Sequence, residues 1–454
     1  MKPSRIKPYH IIPASFLMAI AFGTLLLMLP FATATRQPAG FLTSLFTATT
    51  SICVTGLVVV DTYAYWSLFG QFVILILIQI GGLGVVAVAS MIMLITGKKF
   101  FLSGRMLLGD SLNFDRRQGV LHFLTDMFKG VFTVEVCGAL IFAVKFIPMM
   151  GISKGLWASL FQSVSAFCNA GMDVIGPDSM IGLRDSYTVM FTTMALIVLG
   201  GIGFVVWFDV ISGLKEGISY RYSPAKVFSH LPEHTKVVIL MTVFLIISGA
   251  AFIFAAEYSN PDTLGGMDLA DKIVNSLFQS VTLRTAGFAS IPQEKLTELS
   301  CTAGYVLMFI GGSPVGTAGG VKTMTAFLFF INAFSYIHSK KENLVFQRRV
   351  PEEIMKKASA IIMFSLATVF VFNILLMSRG GISHTDALYE VISALGTVGL
   401  SRALTPTLDS VGRVIIIAAM YLGRVGPISM AIFFTINKNS DNMIKHANGK
   451  FIVG

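Results

Sequence analysis

Read as apolar and polar positions, the chain alternates long apolar runs with short polar or basic links. Eight runs, at 12–30, 70–96, 128–150, 187–211, 237–256, 304–337, 358–377 and 414–436, approach the ~20 residues that cross a bilayer as a helix. Between the members of each successive pair lies an apolar stretch too short or too polar to cross. Residues 44–56 read SLFTATTSICVTG, 159–171 SLFQSVSAFCNAG, 276–287 SLFQSVTLRTAG and 387–399 ALYEVISALGTVG. The glycines that close them, Gly56, Gly171, Gly287 and Gly399, recur after 115, 116 and 112 residues. A fixed period of this kind reports architecture.

Each period holds a span, a half-length helix ending in a glycine loop, and a second span. Two crossings per unit give all four units the same orientation, so they can surround one axis. The expected fold is an all-α membrane protein with eight transmembrane helices. They form four parallel span–pore-helix–span repeats around one pore with re-entrant filter loops. The repeats are 1–110, 111–230, 231–350 with an intramembrane loop at 311–322, and 351–454 with the C-terminal tail. A second glycine set keeps the register: Gly81-Gly82, Gly200-Gly201, Gly311-Gly312 and Gly423. Close helix packing accounts for the first, second and fourth of these.

Composition agrees with the pattern. Of 454 residues, 54% are hydrophobic and 13% charged, with mean hydropathy +0.75; a soluble chain carries about 25% charged residues. The net charge of +10 does not point to nucleic acid, because Lys and Arg gather in alternate links, as at Lys98, Lys99, Arg105, Arg116 and Arg117. The positive-inside rule then makes these links and both termini cytoplasmic, in a multi-pass protein of the cytoplasmic membrane. The first run exceeds the ~7–15 residues of a signal-peptide core, so it is expected to stay as a span. Cys53, Cys137, Cys168 and Cys301 have no metal-ligand or disulfide spacing. No H-E-x-x-H or similar cluster occurs, so an enzyme is not expected. The G-x-G-x-x-A match at 82–87 has no preceding strand, and Lys322-Thr323 follows valine where a phosphate-binding loop needs glycine.

The candidate chemistry is that of a desolvated cation. Backbone carbonyls can replace the water shell of an alkali ion and still release it, and glycine permits the bends this requires. The candidate filter is Val54-Thr55-Gly56, Asn169-Ala170-Gly171, Thr285-Ala286-Gly287 and Thr397-Val398-Gly399, with K⁺ at their carbonyls and Na⁺ as a second candidate ion. Each half-helix should turn the negative end of its dipole toward the axis. Asp173 follows the second loop, where it either concentrates cations or faces solvent. The third repeat's second span is interrupted by Gly311, Gly312, Ser313, Pro314, Gly316, Thr317, Gly319, Gly320 and Lys322. This is a candidate gate, with a kinked packing helix as the alternative. Arg424, inside an apolar span, either faces the pore or snorkels to the cytoplasmic surface. Glu135, Arg284, Lys322 and Arg424 are the few ionisable groups in the spans. Their scarcity favours a channel-like uptake system driven by membrane potential over a Na⁺- or H⁺-coupled symporter.

The stretches CVTGL, CNAGM, RTAGF and GTVGL, together with GGSPVGTAGGVK and GRVGP, resemble the Trk/Ktr/HKT potassium transporters over essentially the whole chain. The likeness is strongest to the membrane subunit of bacterial Ktr-type systems. The resemblance implies a K⁺-translocating homodimer with one pore per protomer, docked on a cytoplasmic ring of nucleotide-binding regulatory subunits. The chain itself would bind no nucleotide or other cofactor. The resemblance also implies that the glycine loop is the gate, that Arg424 is the arginine beside it, and that glycine at position 56 accompanies potassium selectivity.

Overall fold

The structure, a computed structural model, describes residues 8–95, 120–340 and 342–426. Each of the four sequence periods contributes a long helix, a shorter buried helix and a third helical stretch. The first has α1 (Pro8–Leu27), α2 (Phe41–Ile52), α3 (Leu68–Leu83) and α4 (Val85–Ile95). The second has α5 (Val120–Met150), α6 (Ile152–Cys168), α7 (Tyr187–Gly201) and α8 (Phe204–Tyr220). The third has α9 (Glu233–Glu257), α10 (Leu269–Thr282), α11 (Glu298–Phe309) and α12 (Thr323–Ile337). The fourth has α13 (Glu352–Met377), α14 (His384–Gly396) and α15 (Ser410–Val425). A two-residue hairpin, β1 (Leu344–Val345) with β2 (Arg348–Arg349), lies between α12 and α13.

Helix starts follow side-chain caps. Ser67, Thr297 and Asp409 each accept a hydrogen bond from the backbone N–H three residues on, opening α3, α11 and α15, and Ser383 does the same for α14. Such a cap satisfies an N–H that the first helical turn leaves unpaired. The short helices α2, α6, α10 and α14 are buried through the aromatic residue of the SLF or ALY motif. Phe46, Phe161, Phe278 and Tyr389 are all fully enclosed.

Among the described residues, α5 from His122, α9 and α13 are long and apolar enough to cross a membrane unaided. The α7–α8 pair qualifies as a fourth span but is bent by 100°. Val144, Phe244 and Phe370, on the long helices, are more than 60% exposed, an apolar outer surface suited to lipid. Cys137 is exposed on α5 as well.

The continuous second spans expected at 70–96 and 187–211 are broken. Gly84 and Gly203 have φ of +90° and +96°, and Gly426, which ends α15, has +92°. A right-handed helix cannot continue through that conformation, and glycine adopts it without a Cβ penalty. Three residues before each break, Gly81, Gly200 and Gly423 rest on the carbonyl oxygens of Ile52, Phe167 and Leu395, leaving no room for a Cβ. The close approach and the helix break therefore come from one glycine-rich segment. The basic stretch 98–117, the N-terminal basic residues, the end of the last apolar run and the tail 450–454 lie outside the described residues.

On one face the repeats are tied by polar side chains. Arg402, just past the fourth loop, donates to Asp386 Oδ1 at 2.8 Å and to the carbonyls of Gln293 and Leu296 at 3.1 and 3.3 Å. Burial alone would raise the Asp386 pKa. The hydrogen bonds from Ser383 and Arg402, with the arginine charge, outweigh it and hold the carboxyl below its usual value. The Gln279 and Gln293 amides pair at 2.7 Å, and Tyr389 O–H donates to Gln293 Oε1 at 3.0 Å, joining α10 to α14.

Candidate ion pathway

The twelve filter candidates lie in four loops that meet in a closed ring. A Cβ added to Gly56 would lie 2.5 Å from the Ala170 carbonyl oxygen, one on Gly171 2.7 Å from that of Ala286, and one on Gly287 2.5 Å from that of Val398. On Gly399 it would overlap the Thr55 carbonyl and return to the first loop. Each glycine is thus packed on the backbone just before the next glycine in the ring, where only hydrogen fits.

The loops share a backbone pattern. Val54, Asn169, Thr285 and Thr397 have φ between +52° and +69°, and each glycine two residues later is again positive, from +64° to +98°. The residue between them is not. Alternating the sign of φ brings successive carbonyls to one side of the chain, as an ion-lining backbone requires. For a β-branched residue the left-handed region is strained by about 1–3 kcal/mol, so something must hold it.

A hydroxyl at the end of each short helix does so. Thr50 and Ser393 accept from the N–H of Gly56 and Gly399 at 2.9 and 3.1 Å. Ser165 and Thr282 donate to the carbonyls of Met172 and Phe288 at 2.5 and 2.7 Å. Three of these stand six residues before their glycine, and Thr282 stands five before because the third stretch is one residue shorter. Sequence reading passed over them, although a Ser or Thr at that position was the available signal. The hydroxyls of Thr55, Thr285 and Thr397 are buried without a partner among the described residues. Asp173 is half-buried, not simply solvent-facing. Burial, outweighing hydrogen bonds from Ser179 and the Ile175 N–H, pushes it up to about 6.

Between Phe309 and Thr323 the chain is not helical, which removes the kinked-helix alternative. Its two ends are paired, with Gly311 N–H donating to Val321 O at 2.9 Å and Val321 N–H to Phe309 O at 3.2 Å. Ser313 and Thr317 donate their N–H groups to Gly201 and Gly200, and Val315 O accepts from Phe204 N–H. Gly312 and Gly316 approach the Gly200–Gly201 backbone too closely for a Cβ. A Cβ on Gly320 would sit 3.3 Å from the Gly396 carbonyl, and one on Gly319 would overlap the Thr397 hydroxyl. Lys322 Nζ folds back on Ala318 O at 2.5 Å. The loop therefore packs against backbone of the second repeat and directly against the filter candidate of the fourth.

Arg424 does not snorkel. Its guanidinium donates to Thr317 O at 2.5 Å, and to Gly81 O and Gly82 O at 2.5 and 3.3 Å, at the carbonyl end of α3. It joins the middle of the loop to the first repeat, and the negative end of a helix dipole favours a cation there. A cavity of about 660 Å³ is bounded by the loop, by Arg424 and by Ile361 and Ser365 of α13.

A helical bundle with an apolar outer face, built around a ring of glycine backbone, defines an integral-membrane transport protein. The family model for TrkH, described as a cation transport protein, matches residues 4–446, and the chain belongs to that family. It is 37% identical to the Ktr system potassium uptake protein B of Bacillus subtilis over 450 residues, covering 99% of this chain and 97% of that one. With the potassium/sodium uptake protein NtpJ of Enterococcus hirae it shares 35% identity, over 96% and 94% of the two chains. The structure of the potassium transporter TrkH from Vibrio parahaemolyticus superposes with a TM-score of 0.74 at 17% identity, covering 96% and 86%. That likeness extends the fold.

Proposed function

We propose that the protein takes up potassium across the cytoplasmic membrane through a carbonyl-lined filter formed by Gly56, Gly171, Gly287, Gly399 and the two residues before each. The closed ring in which every filter glycine packs on the next loop carries this reading. Four repeats of two crossings surround the pore, both termini are cytoplasmic, and the 311–322 loop with Arg424 is the gate. Potassium is the ion on two grounds: glycine stands at all four ring positions, and the relative at 37% identity is by name a potassium uptake protein, the one at 35% a potassium/sodium uptake protein. The filter carbonyls would hold K⁺, and the buried hydroxyls of Thr55, Thr285 and Thr397 are further oxygens beside it. The chain acts as a homodimer controlled by a cytoplasmic ring of nucleotide-binding subunits, the only place where nucleotide enters.

Transport is expected to follow membrane potential. The purified chain in liposomes at an imposed negative potential should take up K⁺ without a Na⁺ gradient, and in preference to Na⁺. Equal K⁺ and Na⁺ flux would sink the filter assignment. A coupled symporter is favoured by one observation: Glu135 is buried in α5, accepting from Gln79 Nε2 at 3.2 Å with its other oxygen unpartnered. Flux that needs a Na⁺ or H⁺ gradient would establish that reading instead.

The gate has its own test. Shortening the 311–320 stretch should raise K⁺ flux. Unaltered or lost flux in a folded variant would count against a gating loop.

A further inference from the structure

Arg284 is a buried cation with little to hold it. It precedes the filter candidate Thr285, and its Nη2 donates to Gly311 O at 3.2 Å, the first carbonyl of the loop. No ion pair among the described residues includes it. Its Nε–H has no partner there either, and neither has the buried Thr242 hydroxyl on α9. Both groups line one cavity of about 20 Å³, which Gly312 and residues at the end of α7 also bound. A single water needs about 10–15 Å³ and two to four polar partners, so this space takes one.

Arg284 follows just after the carbonyl end of α10, and its guanidinium bonds a carbonyl beyond the end of α11. Those negative helix ends favour the cation, so no anion is required. A water can accept from Nε–H and exchange a hydrogen bond with Thr242, which gives a partner to both of the buried atoms that lack one among the described residues. Filter and loop also touch beside this site, since a Cβ on Gly311 would lie 3.0 Å from Thr285 Cγ2.

We propose that Arg284 is a positioning residue that ties the neck of the 311–322 loop to the third filter loop, with one internal water, shared with Thr242, meeting its Nε–H. The tie complements Arg424. One arginine holds the loop where it leaves α11, and the other holds its middle at Thr317. The inference rests on the proposed gate for its meaning in transport, and the test separates the two.

Hydrogen exchange of the 311–320 amides reads the tie directly, whatever the loop does to flux. Loss of a hydrogen bond from a charged donor should speed exchange there by about tenfold or more in Arg284→Gln. Arg284→Lys should show a smaller increase, because one donor remains. Thr242→Val should show a modest increase confined to the same amides. Faster exchange with raised K⁺ flux supports both tie and gate; faster exchange with unchanged flux supports the tie and overturns the gate. Unchanged exchange in a folded Arg284 variant overturns the tie, as does a fall in K⁺/Na⁺ preference without faster exchange, which would make Arg284 a filter residue. Wild-type exchange in Thr242→Val overturns the shared water. Should Arg284→Gln fail to fold, the lysine and valine variants decide.

Discussion

Gly399→Ser is expected to lower the K⁺/Na⁺ flux ratio by about tenfold or more, because forcing a side chain into this backbone costs about 1–3 kcal/mol and 1.4 kcal/mol is a factor of ten. Gly399 has φ +98°, and its missing Cβ would overlap the Thr55 carbonyl while lying 2.9 Å from Gly56 Cα. Neither neighbour can turn aside as a flexible side chain would, since both are backbone of the first glycine loop. The ring has to widen or the Thr55 carbonyl has to rotate, and either change loosens the coordination of a dehydrated ion. Because Gly399 also donates its N–H to the Ser393 hydroxyl, the distortion is not easily absorbed by moving the whole loop. Gly266→Ser is the matched control, at a glycine with ordinary φ and nothing within 4 Å of its added Cβ. The measurement is the ratio of K⁺ to Na⁺ flux in liposomes, with thermal stability checked in parallel. An unaltered ratio in a folded Gly399→Ser protein would mean that the ring does not select the ion.

Arg424→Gln is expected to raise K⁺ flux in the absence of any regulatory partner by about ten- to a hundredfold. The guanidinium bridges Thr317 O to Gly81 O and Gly82 O, and a hydrogen bond from a charged donor contributes about 1.5–3 kcal/mol. Losing the bridge frees the middle of the loop from α3, leaving the amide bonds to Gly200 and Gly201. Glutamine is shorter and uncharged, so it cannot span the two repeats. Arg424→Lys separates charge from geometry. A single ammonium can keep the charge without reaching both sets of carbonyls, so lysine should give an intermediate flux. Wild-type flux with lysine would show that positive charge alone closes the pathway. Reduced flux in both variants, with the protein folded, would remove Arg424 from the gate.

The parts of the fold legible in the sequence are those set by local rules. The aromatic residue of SLF or ALY packs the buried helix in all four periods, and the closing glycines are needed for a left-handed backbone. The 311–322 stretch reads as non-helical because its glycines and Pro314 remove helix propensity along several consecutive residues.

The breaks at Gly84 and Gly203 were not legible, because a glycine in an apolar run serves equally as a packing site. The third short stretch hid its hydroxyl tether by being one residue shorter, which shifts the role to Thr282. Arg424 could be recognised as misplaced in an apolar run, but its two partners could not be named, since Gly81 lies 343 residues away along the chain. Arg284 gave no local signal beyond its charge.

By itself, the sequence determined that this is a strongly apolar membrane protein with four glycine-closed stretches at a near-fixed spacing, because hydrophobic periodicity and backbone conformational preference act over a few residues. Only the tertiary structure decided that each glycine packs on the carbonyl of the next unit, and that two buried arginines meet the loop at Gly311 and Thr317. Those choices depend on which backbone oxygens are left without a donor after the helices have packed, and that depends on all four units at once.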